Sequence, residues 1–237
     1  MKIFCIPYAG GSAQLFNLWR KHLNPGFELV PVELAGRGTR MKEPLYEHRF
    51  KAVEDILKII EKDLRQSPYV LYGHSLGAFL AYELAQRIVS SGLPEPDHLF
   101  VSGCGAPHLK DPNKRYHLLS DQDFKHKLIS FGGTPREFFD HPEIVDIYLP
   151  VLKNDFRLAE TDLPGKEIRP LTTDITVMLG TEEELTLEQC FGWRKHTRGK
   201  CDLKFFEGGH FFINDNLEKI IGLIHTALDK TFSLNTR

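Results

Sequence analysis

Cysteine is scarce in this chain. Cys5, Cys104, Cys190 and Cys201 stand far apart, and their spacing suggests no zinc site. No apolar run approaches the length that spans a bilayer. The opening "MKIFCIPYAGG" has too short an apolar run for a secretory signal and no small-residue cleavage site. The thiols are therefore expected to be reduced and the protein cytoplasmic. An excess of one charge is missing too. Thirty Lys and Arg face 32 Asp and Glu, a net charge of −2, which leaves no footprint for nucleic acid. Phosphate loop and dinucleotide fingerprint are both absent, so neither cofactor nor metal is expected. The composition is 41% apolar and 26% charged, which argues against disorder. A length of 237 residues suits one large α/β domain over 1–237.

Strand-like and helix-like stretches alternate along the chain. That is the pattern of a mostly parallel sheet flanked by helices. Strands are predicted at Ile3–Ile6, Phe27–Glu33, Tyr69–Tyr72, His98–Ser102, Asp174–Leu179 and Cys201–Phe206, with Pro31 near an edge. Phe16, Trp19 and Leu23 recur as on a helix face. The clearest helical stripe is Phe50, Val53, Ile56, Leu57, Ile60 and Leu64. Further helices follow at Leu76–Ser91, capped by Gly92, and Leu217–Leu228. Residues 107–165 break the rhythm with six of the fourteen prolines, Pro107, Pro112, Pro135, Pro142, Pro150 and Pro164. Ser120 and Asp123 open a helix carrying Phe124, Leu128 and Phe131. A second helical piece carries Ile144, Ile147 and Tyr148, then Pro150, then Leu152 and Phe156. This helical insertion within the domain is expected to act as a lid.

The chemistry begins at "YVLYGHSLGAFLAYELA". Gly73-His74-Ser75-Leu76-Gly77 reads G-x-S-x-G at a strand-to-helix junction. That pattern builds a strained turn which lifts the serine hydroxyl clear of the sheet, with a helix N-terminus behind it. A serine needs a base within reach. His210, in "FFEGGHFF" between the last strand and last helix, is the best placed of eleven histidines. His196 and His225 fall inside helical patterns and read as surface residues. The acid should follow the penultimate strand, where "VMLGTEEELT" offers Glu182, Glu183 and Glu184 but no aspartate. Two backbone N–H donors are expected to hold an oxyanion: that of Leu76, after the serine, and that of Ala9, in the Gly-rich loop "IPYAGGSA".

Six ordered motifs together resemble the stand-alone (type II) thioesterases of nonribosomal peptide and polyketide synthesis, members of the α/β-hydrolase fold. They are "PYAGGSA" with Phe16 and Trp19, "ELAGRGTR" with Ala35 where that family has proline, "YGHSLGAFLAYELA", "VSGCGAP", "LPVLKNDFRLAE" and "FEGGHFF". The resemblance places the acid at Glu183, where the family usually has aspartate. It implies a catalytic Ser75, Glu183 and His210, and hydrolysis of acyl thioesters on the phosphopantetheine arm of carrier proteins, for editing or product release. Acyl or peptidyl carrier protein domains are then the expected partners of a monomer, with neither nucleic acid nor membrane involved. Arg37, Arg40 and Lys42, or Lys110, Lys114 and Arg115, could meet the acidic carrier. Two rival readings use the same fold: a small-molecule esterase or lipase, and a carrier-binding accessory protein of weak activity.

Overall fold

The computed structural model describes residues 1–134, 136–161 and 167–235. Six strands form one sheet: β1 (Lys2–Ile6), β2 (Glu28–Pro31), β3 (Tyr69–His74), β4 (His98–Ser102), β5 (Asp174–Gly180) and β6 (Cys201–Phe206). Their order is β2-β1-β3-β4-β5-β6, and every neighbouring pair is parallel. The helices are α1 (Arg49–Leu64), α2 (Leu76–Ser90), α3 (Asp121–Phe131), α4 (Pro142–Glu160), α5 (Leu187–Phe191), α6 (Phe212–Asp215) and α7 (Leu217–Asn235). Among the described residues no helix is long and apolar enough to cross a membrane.

The sheet is covered on both faces, which is why β3 and β4 read as unbroken apolar runs. Side chains alternate between the faces. Tyr69 and Leu71 of β3 join a core with Val53, Ile56 and Leu80. Val70 and Tyr72 join a second core with Phe16, Trp19, Phe212 and Ile224. Register sets Gly73 beside Ile6 on one side and Val101 on the other. The ends of β1 and β3 therefore lie together, and each carries a Gly-rich loop.

Three local expectations are corrected. Phe50 is 59% exposed. The first turn of α1 instead turns Arg49 inward, paired with Glu83 at 2.8 Å. Strand β2 ends at Pro31: Val32 N–H still donates to Cys5 O at 2.8 Å, and pairing stops there. The helical piece that carries Pro150 is one continuous α4, but its buried stripe is not the expected one. A proline removes one helical hydrogen bond, and packing offsets that loss. Val145, Leu149 and Leu152 form a small core with Phe124 and Leu128, leaving Ile144 and Ile147 exposed. Ser120 caps α3 as the spacing predicts, accepting from Asp123 N–H at 3.1 Å. Pro135 and residues 162–165 of the insertion, with Pro164, lie outside the described residues.

His196 and His225 are not surface residues. His225 is half-buried and stacks on Phe27. His196 is buried, with Nε2 2.8 Å from His108 Nδ1 and Nδ1 2.7 Å from the Tyr82 hydroxyl. Burial pushes the pKa of His196 down to about 4, with His108 and Lys195 adding to the effect. Burial also takes His98 down to about 4. Both are neutral when folded, whereas in the unfolded chain they take a proton near pH 6.5. Their stabilisation is complete above that value and is lost as pH falls toward 4. Each contributes a slope of about 1.4 kcal/mol per pH unit across the window. The melting temperature should therefore fall steadily from pH 6.5 to 4.5, and less steeply in His98→Asn. A flat profile would contradict the assignment of neutral buried imidazoles.

Candidate active site

The elbow between β3 and α2 places Ser75 at φ 55°, ψ −116°, the sole positive φ outside glycine among the described residues. Such a backbone costs about 1–3 kcal/mol and persists only where its surroundings impose it. Here they do. A Cβ on Gly73 would stand 2.0 Å from Gly77 O, and one on Gly77 would stand 2.1 Å from Ile6 O. Only glycine fits at either position. Ser75 N–H donates to Ser102 O at 2.7 Å, which ties the elbow to the end of β4. The amides of Ala78 and Phe79 turn back to Ser75 O, at 3.0 and 3.4 Å. The Leu76 N–H, first in α2, has no acceptor among the described residues, and the helix dipole adds to its positive character.

The loop after β1 spends its donors in a similar way. Gly11 N–H donates to Tyr8 O at 2.9 Å, and Gly10 N–H donates to Asp155 Oδ2 at 2.7 Å. The Ala9 N–H just ahead of them has no acceptor among the described residues. Ser75, Ala9 and His210 line one cavity of about 640 Å³. Its apolar walls include Phe79, Leu109, Leu152 and Phe156.

His210 follows β6, in a loop held against the loop after β5. Thr181 N–H donates to Phe206 O at 2.8 Å, and Glu182 N–H to Gly208 O at 3.0 Å. A Cβ on Gly180 would lie 2.5 Å from the carbonyl oxygens of both Gly208 and Gly209, so this glycine permits the approach. Of the three glutamates, Glu183 meets the imidazole: its Oε1 is 2.7 Å from His210 Nδ1. Its second oxygen accepts from Gly180 N–H at 2.9 Å. The side chain therefore folds back over its own turn, which takes up the methylene by which glutamate exceeds aspartate. Glu183 is only 6% exposed, whereas Glu182 and Glu184 face solvent.

Several residues take positions at the site that the sequence reading did not give them. His74 points into the core, with Nδ1 2.9 Å from Ser102 Oγ, and its ring lies 5.0 Å from that of His210. Burial, then the charge of His210, holds its pKa well below the usual range. A neutral ring thus supports the imidazole from beneath. Lys110 lines the cavity with its ammonium 3.7 Å from the Phe79 ring centre, and burial takes its pKa down to about 7. Arg37, one of the cations offered for contact with a carrier, is not at the surface but 1% exposed and locked to Asp155. Arg40 is occupied by Glu43 and Asp55. Lys42, Lys114 and Arg115 remain exposed, and Lys114 lines the cavity. Residue type gave no signal for Arg37, because its partner lies 118 residues away.

Known proteins are similar to this chain over nearly its whole length. The family model of the thioesterase domain matches residues 1–228. The medium-chain S-acyl fatty acid synthase thioesterase of Rattus norvegicus is 32% identical over 231 residues, covering 92% of this chain and 85% of that protein. The thioesterase PikA5 of Streptomyces venezuelae is 32% identical over 221 residues, 93% of this chain and 78% of its own. The crystal structure of ClbQ from the colibactin NRPS/PKS pathway superposes with a TM-score of 0.92 at 33% identity, covering 98% of both chains. Parallel sheet, serine elbow and a match over nearly the whole length lead to one conclusion: the chain belongs to the thioesterase family, whose members hydrolyse thioesters.

Proposed function

We propose that this enzyme hydrolyses acyl thioesters carried on the phosphopantetheine arm of carrier proteins, with Ser75 as nucleophile, His210 as base and Glu183 as the acid that orients it. The observation that carries the reading is the buried carboxylate bonded to His210 at the rim of a cavity that Ser75 also lines. Glu183 holds Nδ1 and so leaves Nε2 of His210 to take the serine proton. Ser75 Oγ attacks the thioester carbonyl, and the oxyanion sits between the N–H groups of Ala9 and Leu76. The C–S bond breaks, and His210 returns the proton to the departing thiol of the arm. Water, deprotonated by His210, then attacks the acyl-serine; the bond from the acyl carbon to Ser75 Oγ breaks, His210 returns the proton to Oγ, and the free acid leaves. The named roles of PikA5 and of ClbQ's pathway support a carrier-bound substrate.

The insertion serves as the cover of the acyl chamber: Leu128 and Phe131 of α3 and Leu152 and Phe156 of α4 all line it. Exposed Lys114 and Arg115, beside the chamber, suit an acidic carrier.

A direct comparison tests the reading. The protein is incubated with a set of acylated carrier proteins and, separately, with p-nitrophenyl esters of the same acids. kcat/KM should be at least about tenfold higher for the carriers, equal to about 1.4 kcal/mol of extra transition-state binding. Equal or faster turnover of the simple esters would make this a small-molecule esterase.

A further inference from the structure

Two charged side chains sit where none is needed for the fold. Asp155 of α4 is fully buried and Arg37 is 1% exposed. They form a bidentate pair, Nη1 to Oδ2 at 2.5 Å and Nη2 to Oδ1 at 2.8 Å. Burying two ions costs several kcal/mol each in lost hydration, and a matched apolar pair is often as stable or more so. Stability therefore does not explain their presence.

Their other bonds do. Asp155 Oδ2 also accepts the Gly10 N–H at 2.7 Å, while Arg37 Nη1 donates to Gly11 O at 3.3 Å and Arg37 Nε to Ala35 O at 3.4 Å. The loop after β1 is gripped through one N–H and the next C=O. Gly10 is in the left-handed region at φ 76°, and a Cβ there would lie 2.4 Å from Leu152 Cδ2. The loop is thus packed against α4 and bonded to it at one point. Gripping Gly10 aims the preceding peptide, so the Ala9 N–H is the donor left for substrate. Arg37 has a second effect. A bare carboxylate beside a developing oxyanion would raise the barrier, and the guanidinium neutralises it.

We propose that Asp155 is a positioning residue for the reaction, with Arg37 as its counter-charge: together they hold the Gly10–Gly11 segment so that the Ala9 N–H meets the oxyanion. The assignment rests on the proposed function and refines its oxyanion site.

The test uses two paired variants of the whole protein. Arg37→Met with Asp155→Leu removes both charges and the acceptor for Gly10. It should fold with a melting temperature within a few degrees of the parent. Its kcat should fall by about 10- to 100-fold, less than the roughly 10²- to 10³-fold for a donor removed outright because the Ala9 N–H is misaimed rather than lost, with KM within about threefold. The pH midpoint of kcat should not move, because His210 and Glu183 are untouched. Arg37→Gln with Asp155→Asn keeps an oxygen to accept the Gly10 N–H and should recover most of the kcat. Wild-type kcat in the folded Met/Leu pair overturns the proposal, as does a loss confined to KM or an equal loss in both pairs. Failure of the Met/Leu pair to fold also overturns it, since the pair would then serve the fold. Ser75→Ala run in parallel separates the two readings: if it remains active, the proposed mechanism falls whatever Asp155 does.

Discussion

Ser75→Ala is expected to lower turnover of acyl thioesters on the order of 10³-fold or more while leaving the protein folded. The loss follows from chemistry: without the hydroxyl there is no acyl-enzyme, and only oxyanion binding and positioned water remain. The fold should survive because the hydroxyl caps nothing. Ser75 begins α2 with no side-chain bond to its first turn, and the strain at φ 55° belongs to the backbone, which alanine inherits. The elbow is imposed by Gly73, Gly77 and the Ser75 N–H bond to Ser102 O, none of which the substitution touches. Stopped assays with an acylated carrier, together with a melting curve, decide the matter. A variant that keeps a tenth of the activity would place the nucleophile elsewhere.

Glu183→Ala should cost at least about 10²-fold in kcat, with Glu182→Ala and Glu184→Ala mild. The three residues are consecutive and chemically identical, so composition cannot separate them; geometry does. Only Glu183 is bonded to His210 Nδ1, with its side chain 6% exposed, while both neighbours face solvent. Its removal frees the imidazole to rotate or adopt the wrong tautomer and leaves the imidazolium of each transition state without its counter-charge. It also leaves Gly180 N–H without an acceptor, a loss of roughly 1 kcal/mol. Some destabilisation is therefore expected beside the kinetic effect, and kcat must be measured on the folded fraction. Glu183→Gln, which retains an acceptor for Gly180, separates the two losses: stability should recover while kcat stays low. Equal mildness across all three positions would remove Glu183 from the mechanism.

What the sequence made legible follows a physical line. Strands β4 and β6 are found at the predicted bounds, and β3 two residues longer: β3 and β4 carry short apolar runs, and β6 alternates apolar and polar residues before its closing Phe205-Phe206 and the glycines beyond. The elbow was readable because two glycines around a serine answer a steric demand that the structure expresses as contacts of 2.0 and 2.1 Å. Long-range pairing was not readable. Arg37 resembles any exposed loop arginine until Asp155 arrives from 118 residues away. His196 sits among charged neighbours in sequence, yet Tyr82 and His108 enclose it in space. The stripe in the first turns of α4 was misjudged by one position, since contact with α3 buries Val145 and Leu149 and leaves Ile144 and Ile147 exposed, and local apolar spacing does not say which face a neighbouring helix will cover.

Pro150 also has a mechanical consequence. Beyond it, the C-terminal half of α4 is built into the domain: Asp155 holds Arg37, Arg157 Nη2 donates to Tyr46 O at 2.7 Å, and Arg49 Nη1 donates to Leu158 O at 3.1 Å. Before it, Val145 and Leu149 rest on the α3 cluster. The helix is a cantilever with its root at Asp155 and its weakest section at Pro150, where the Asp146 carbonyl lacks an i+4 donor. Any flexure concentrated there would carry Val145 and Leu149 with the α3 cluster and leave the Asp155 root in place. Leu128 of α3, which lines the cavity and packs with that end of α4, is accordingly the wall residue to exchange when the shape of the cavity is to be changed and the root left alone.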